Sequence, residues 1–282
     1  MVSAWMMWNG ENERFLRYNK IRSVINMKTA AIRFYGNLNH FLPPEQQYMS
    51  FSHFFNGQPS VKDLIESLGV PHTEVDLLLV DGESAAWSRQ VQDGERVAVY
   101  PRFFTLDIAG ETHVRPAPLH DYRFIADVHL GKLASYLRLF GFDTLYRNDN
   151  GDKELADASV DENRILLTFD RQLLMRKKVT HGYLVRSRNP EVQLVEVLTR
   201  FNLGDKCHPF QRCMACNGVL GQVPREEVLS SLPENIRETL DAFHQCLGCG
   251  RVYWRGTHYE HMKVFVRQVK DQIQMNREEP EA

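Results

Sequence analysis

Apolar and polar positions change rhythm once along the 282-residue chain, near residue 120. Ahead of that point the pattern runs strand, strand, helix and then strands. "TAAIRFYG" reads as a first strand. In "SVKDLIESLG", Ser60 and Asp63 form a capping box with Asp in place of Glu, and Gly69 stands where a helix end favours a left-handed residue. "EVDLLLVDGESA" predicts a strand entering an Asp-Gly turn, and "DGERVAVYP" a second turn and strand. Residues 1–27 show no clear period and read as an extension. The strand pattern begins at Met27, so either translation starts there or 1–26 form a mobile arm; an intact mass decides between the two.

After residue 120 strands and helices alternate. "YRFIAD" is a strand, and "HLGKLASYLRLFG" is a helix with apolar positions 130, 133, 134, 137 and 140 on one face, ended by Gly141. "DTLY", "RILLTF" and "GYLVRS" are further strands; "DKELADASVDE" and "DRQLLMRKK" are helices, and Pro190 opens "PEVQLVEVLTRF" at its favoured first position. Such alternation predicts a parallel sheet with right-handed crossovers. The expected organisation is a β-grasp, ubiquitin-like domain at 28–104, a linker at 105–119 marked by Pro116 and Pro118, an α/β domain at 120–205, a cysteine module at 206–265 and a polar tail at 266–282. The first domain resembles the small sulfur-carrier proteins of thiamin and molybdopterin synthesis. It lacks their Gly-Gly terminus, so carrier chemistry is not expected and a role in binding a protein partner is.

Composition narrows the function classes. The net charge of −2 gives no global attraction to nucleic acid or membrane, so any such affinity must be local. No run of about 18 apolar residues is present, so no bilayer-spanning helix is expected. Five cysteines, four of them in two Cys-x-x-Cys pairs, fit a reducing compartment and a metal site better than a disulfide framework, and the cytoplasm is the expected location.

Acids recur at the strand ends. Asp127 follows "RFIA", Asp149 and Asp152 follow "DTLYRN", and Asp170 follows "RILLTF". Ligands of open parallel sheets bind outside the carboxyl ends of the strands. Clustered carboxylates repel one another, and a shared Mg²⁺ or Mn²⁺ relieves that cost while polarising a phosphoryl oxygen or a water. The plain alternative is helix capping, worth about 1 kcal/mol apiece, which suits Asp152 and Asp170 taken singly. Thr168 is placed to orient a carboxylate or water. Residues 119–162 carry nine acids against five Lys plus Arg, and 163–212 four against ten, a basic flank suited to a polyanion. Lys132 in "LGKLA" is not a P-loop lysine, since Ala126 and Leu133 stand where that motif needs Gly and Ser or Thr. Lys132 and Arg138 remain candidates for phosphate contacts.

Cys213-x2-Cys216 and Cys246-x2-Cys249 have glycine close behind each pair, and four thiolates suit a closed structural Zn²⁺ site. A redox dithiol is the weaker reading. Cys207 is a plain thiol.

"FIADVHLGKLASYLRLFGFDTLYRND", "RILLTFDRQLL", "HPFQRCMACNGVL" and "FHQCLGCGRVYWRGTHYEHM" together resemble the Mut-seven C-terminal ribonuclease family, PIN-like nucleases followed by a zinc ribbon. Bacterial members often carry a ubiquitin-like domain in front. The resemblance implies a metal-dependent ribonuclease, with Asp127, Asp152 and Asp170 as catalytic metal ligands and Asp149 and Glu154 as candidates for a fourth acid. Thr168, Lys132, Arg138 and Arg171 would contact RNA. The family usually reads Thr-Arg-Asp where this chain has Phe169. The rival reading is a non-catalytic RNA- or ribonucleoprotein-binding or adaptor protein, whose function would be lost on deleting 1–104 if the adaptor role holds.

Overall fold

The computed structural model describes residues 27–103, 108, 110–117, 119, 121–237 and 242–278, and the expectations for residues 1–26 lie outside them. The chain divides into two units, Met1–Pro116 and Ala117–Ala282.

In the first unit, β1 (Lys28–Phe34), β2 (Phe51–Phe55), β3 (Val75–Val80), β4 (Glu83–Ser84) and β5 (Arg96–Pro101) form one sheet in the order β2-β1-β5-β3-β4. β1 and β5 are parallel and the remaining pairs antiparallel, which is the ubiquitin-like arrangement. Alternate residues of β1, Ala30, Ile32 and Phe34, enter the core. α1 (Val61–Ser67) starts at the anticipated capping box: the Asp63 amide donates to Ser60 Oγ at 3.1 Å and the Ser60 amide to Asp63 Oδ2 at 3.3 Å. Asp81 and Gly82 both have positive φ, 51° and 93°, as a two-residue hairpin turn requires.

Much of the expected linker belongs to this unit. Ile108 and Val114 are buried, and Trp87 Nε1 donates to the Val114 carbonyl at 3.1 Å. Arg115 grips the buried Asp76, with Nε to Oδ1 at 2.7 Å. An acid buried on β3 needs a cation, and the segment that looked like spacer supplies it.

In the second unit, β6 (Phe124–Ala126), β7 (Thr144–Tyr146), β8 (Ile165–Thr168) and β9 (Gly182–Leu184) form an all-parallel sheet in the order β7-β6-β8-β9. The helices that follow these strands are α2 (Gly131–Leu139), α3 (Asp152–Asp161), α4 (Arg171–Leu174) and α5 (Pro190–Arg200). The sheet is apolar on both faces. Phe124, Ala126, Ile165 and Leu167 pack with α2 and α5, whereas Ile125 and Leu166 pack with α3 and α4. All five apolar positions foreseen for the α2 region, Leu130, Leu133, Ala134, Leu137 and Phe140, are buried.

The cysteine module is a three-stranded antiparallel sheet, β10 (Leu220–Val223), β11 (Phe243–Cys246) and β12 (Val252–Trp254), with short helices α6 (Arg225–Val228) and α7 (Glu234–Arg237) between β10 and β11. The expected polar tail is instead part of a long helix, α8 (Thr257–Glu278). Its Val266, Val269 and Ile273 enter the same core as α2 and α5. One narrow apolar stripe on an otherwise polar helix is enough to dock it.

Gly141 ties α2 to the chain leading into the cysteines. Its φ is +95°, and a Cβ there would lie 2.3 Å from the His208 carbonyl oxygen. Residues 208–210 are held there by two backbone bonds, His208 N to Phe140 O at 3.0 Å and Phe210 N to Leu139 O at 2.9 Å. Left-handed strain and a backbone collision act together, so Gly141→Ala is expected to cost more than about 2 kcal/mol. Urea denaturation of the full chain measures it; a loss below about 0.5 kcal/mol would contradict this packing.

Candidate active site

β8 lies on one side of β6 and β7 on the other, so the direction of chain progression reverses between β6 and β8. That switch point is where parallel sheets open a crevice for ligands. Asp127 leaves β6 and Asp170 leaves β8, so the two acids flank it. Asp127 is 6% exposed. Its Oδ1 accepts from the His129 amide at 2.8 Å, and its Oδ2 accepts from Thr168 Oγ1 at 2.5 Å and the Phe169 amide at 3.0 Å. The fully buried Thr168 hydroxyl in turn accepts from the Asp170 amide at 2.9 Å. A continuous relay therefore joins Asp170, Thr168 and Asp127. The Asp170 carboxylate is exposed, and its Oδ1 caps α4 through the Gln172 amide at 2.8 Å.

The other anticipated ligands stand apart from this relay. Asp152 is the first residue of α3, with Gly151 rather than Asp152 at the cap, and it pairs with Arg176 at 3.2 Å. Asp149 is exposed, 3.9 Å from Arg147, and Glu154 is exposed in the first turn of α3. Lys132 is exposed with its ammonium 4.9 Å from the Tyr136 ring centre, and Arg171 is exposed at the start of α4. The Arg188 guanidinium lies 4.3 Å over the Phe169 ring, bringing a cation beside the strand end that carries Asp170.

Arg138 does not meet the expectation of a phosphate contact. It is 4% exposed and donates to the carbonyls of Thr144 at 2.9 Å, Met214 at 3.1 Å and Ala215 at 2.8 Å. Burial lowers its pKa, while the neighbouring Cys216, Cys213 and Asp143 oppose that shift. Its partners make it the anchor and counter-charge of the first cysteine knuckle.

The four thiols of Cys213, Cys216, Cys246 and Cys249 all lie within 4.8 Å of one another, the one group of three or more candidate ligands so gathered among the described residues. Cys216 and Cys246 sulfurs are 3.3 Å apart and those of Cys213 and Cys249 3.7 Å. One tetrahedral ion with metal–sulfur bonds of about 2.3 Å needs sulfurs roughly 3.8 Å apart, so the quartet has the dimensions of a metal site. Amides point at the sulfurs: Gly218 N to Cys216 at 3.5 Å, and Gly248 N and Cys249 N to Cys246 at 3.4 and 3.5 Å. The Tyr253 hydroxyl lies 3.0 Å from Cys213 Sγ. Burial alone would raise the Cys213 pKa, but Tyr253 and the local backbone outweigh it and bring the thiol down to about 6. Cys216 is pushed up to about 12: its Gly218 amide works against the shift, and burial and the other thiols overcome it. Glycine is needed at 218 for room, since a Cβ there would lie 2.7 Å from Cys246 Sγ.

Asp143 joins the sheet to this module. It accepts from Arg164 Nη1 at 2.7 Å and Asn217 Nδ2 at 2.8 Å, with Arg212 at 3.6 Å. Burial pushes its pKa up, yet Arg164, Asn217 and Arg212 together hold it below the ordinary carboxylate value. A depressed folded-state pKa stabilises above the unfolded value, about 3.9, and that contribution is lost as pH falls through the folded value. Denaturant midpoints are therefore expected to fall below about pH 4, and less steeply in Asp143→Asn. An identical acid slope in the variant would contradict this role.

Sequence reasoning missed the Tyr253 contact and the Asp143 network. A hint lay in Asp143 standing directly before β7 with Asn217 directly behind Cys216, but only the fold brings them together.

Residues 122–266 match the family model described as Mut7-C RNAse domain, and residues 27–107 match that described as Mut7-C ubiquitin. No curated protein and no solved structure matches the chain.

Proposed function

Because the chain belongs to the Mut7-C RNAse family and carries a Mut7-C ubiquitin domain ahead of it, we propose that it hydrolyses RNA phosphodiester bonds with Mg²⁺ or Mn²⁺. The observation that carries this reading is the Asp127–Thr168–Asp170 relay at the switch point of the parallel sheet. Asp127 and Asp170 would hold the ion, joined by Asp152, with Asp149 and Glu154 as further ligands. The donor type fits, since carboxylate oxygens are the ligands hard cations prefer and Asp127 and Asp170 flank one switch point; Asp152, Asp149 and Glu154 stand apart and would have to approach the ion. Asp152 is engaged by Arg176, but that pair is exposed and worth less than about 1 kcal/mol, so a cation competes for it readily. When bound, the ion supplies charge stabilisation at the phosphate and a water of lowered pKa. Thr168 fixes the Asp127 carboxylate, and Lys132 and Arg171 bind phosphates of the substrate strand.

The cysteine quartet we read as a structural Zn²⁺ site: four thiolates close the tetrahedron and leave no position for substrate. Its thiols suit a reducing location such as the cytoplasm. Among the described residues no helix is long and apolar enough to cross a membrane. The ubiquitin-like domain we read as a docking module for a protein partner.

One observation favours the rival, a non-catalytic RNA-binding or adaptor protein: Asp127 and Asp170 each cap a following helical turn, at His129 and Gln172. Labelled single-stranded and structured RNA, incubated with the full chain and Mn²⁺ or EDTA, separates the two. Mn²⁺-dependent cleavage is expected. Tight binding without cleavage in either condition would leave the rival standing and this proposal refuted.

A further inference from the structure

Away from the acids, α8 carries Lys263, Arg267 and Lys270 at intervals of four and three residues, on one face of the helix. Together with Phe210 and Tyr259 they line an open groove of about 460 Å³, whose acidic member is Asp271. The Phe210 and Tyr259 rings are 4.8 Å apart and inclined at 47°. Two cations stand near the Tyr259 ring, Lys263 at 5.6 Å and Arg255 at 5.9 Å.

The groove is built at some cost. Phe210 has a φ of +65°, a conformation bulky side chains rarely adopt, and its amide is held by the Leu139 carbonyl at 2.9 Å. Strain of this kind persists only where the surroundings over-determine it, and here it sets an aromatic ring against Tyr259. The charges are also incompletely neutralised. Lys263 pairs with Glu260 at 3.0 Å, whereas among the described residues neither Arg267 nor Lys270 has an acidic partner within 4.0 Å. The family-model match ends at residue 266, and Arg267 and Lys270 lie just after it.

We infer that this groove binds a segment of single-stranded RNA, with a base against the Phe210–Tyr259 pair and phosphates on Lys263, Arg267 and Lys270. Aromatic faces accept unstacked bases of any sequence, and the three cations span about 10 Å of helix beside them. Duplex RNA offers no free base face to such a platform. The identity of the ligand rests on the ribonuclease reading, whereas its position does not.

The test is fluorescence anisotropy of a labelled single-stranded RNA 12-mer with the full chain in EDTA, where cleavage cannot intervene. Arg267→Glu with Lys270→Glu is expected to weaken binding at least tenfold and to lower the slope of log affinity against log salt by about two. Tyr259→Leu is expected to weaken it about tenfold, and Tyr259→Phe, which keeps the ring, to retain wild-type affinity. Thermal unfolding of each variant shows whether the fold is intact. Unchanged affinity in the folded charge variant, equal affinity for a hairpin duplex, or no RNA binding by the wild type would each overturn the inference. Groove-dependent binding by a chain that never cleaves would refute the ribonuclease reading and leave the groove standing. Mn²⁺-dependent cleavage with unaltered binding and turnover in the charge variant would do the reverse.

Discussion

Asp127→Asn is expected to lower Mn²⁺-dependent RNA cleavage by about 10²–10³-fold while RNA affinity in EDTA stays within about threefold of wild type. A catalytic metal supplies several kcal/mol of charge stabilisation, and each 1.36 kcal/mol is tenfold in rate. Asparagine can still accept from Thr168 and from the Phe169 amide through one oxygen, which holds the two strand ends together, although its amide nitrogen then faces the His129 N–H and that helical-turn cap is lost. Near-ultraviolet circular dichroism checks that the strand ends stay together. Thr168→Val serves as the companion variant. It removes the donor to Asp127 and the acceptor for the Asp170 amide together, so a positioning role predicts a lowered apparent Mn²⁺ affinity, about 10–100-fold, partly recovered at high Mn²⁺. Full activity of Asp127→Asn at every Mn²⁺ concentration would remove the acid from the mechanism.

Loss of the cysteine site is expected to have the largest effect on stability. Structural zinc contributes on the order of 10 kcal/mol to small modules, comparable to the whole stability margin of a folded domain, about 5–15 kcal/mol. Cys213 is buried, contacts Tyr253 and belongs to the knuckle whose Met214 and Ala215 carbonyls hold Arg138. In Cys213→Ser the metal content should drop from one Zn²⁺ per chain to none, and limited proteolysis should cut within 206–256. Arg138 then loses two acceptors while remaining buried on α2, so the damage reaches the parallel sheet and the thermal midpoint of the second unit falls. A metal-free variant as protease-resistant as wild type would show that the quartet is not structural. Chelation of the native protein should reproduce the variant, since all four ligands are supplied by this one module.

How much of this was legible in the sequence depended on whether a feature is local. The parallel sheet was, because each strand is a short apolar run and each connection a helix-period segment; the α1 capping box and Pro190 were read at their observed places. Asp127, Thr168 and Asp170 were legible as strand-end residues, but the relay joining them follows from β6 and β8 being neighbours. The burial of Arg138 is hard to see in the sequence because a cation on a helix is by default a surface residue. The clue was its place within "YLRLF", between Leu137 and Leu139, both buried. The carbonyls that hold it come from residues 76 and 77 positions later, which no local pattern announces. Similar reasons hid Arg115, whose Asp76 partner is 39 positions earlier, and α8, whose stripe of Val266, Val269 and Ile273 is sparse among charged residues. Asp152 was expected either as ligand or as cap. The fold assigns the cap to Gly151 and leaves the carboxylate exposed beside Arg176.

The acids at the switch point are expected to hold a divalent cation. A titration of the zinc-loaded full chain with Mn²⁺, followed by electron paramagnetic resonance of the free ion, tests it without RNA or turnover. Saturable Mn²⁺ binding is expected, displaced by Mg²⁺ and abolished by Asp127→Asn with Asp170→Asn, while zinc content stays constant. Mn²⁺ binding unchanged by the double variant, or absent from the wild type, would contradict that role and leave the two aspartates as helix caps.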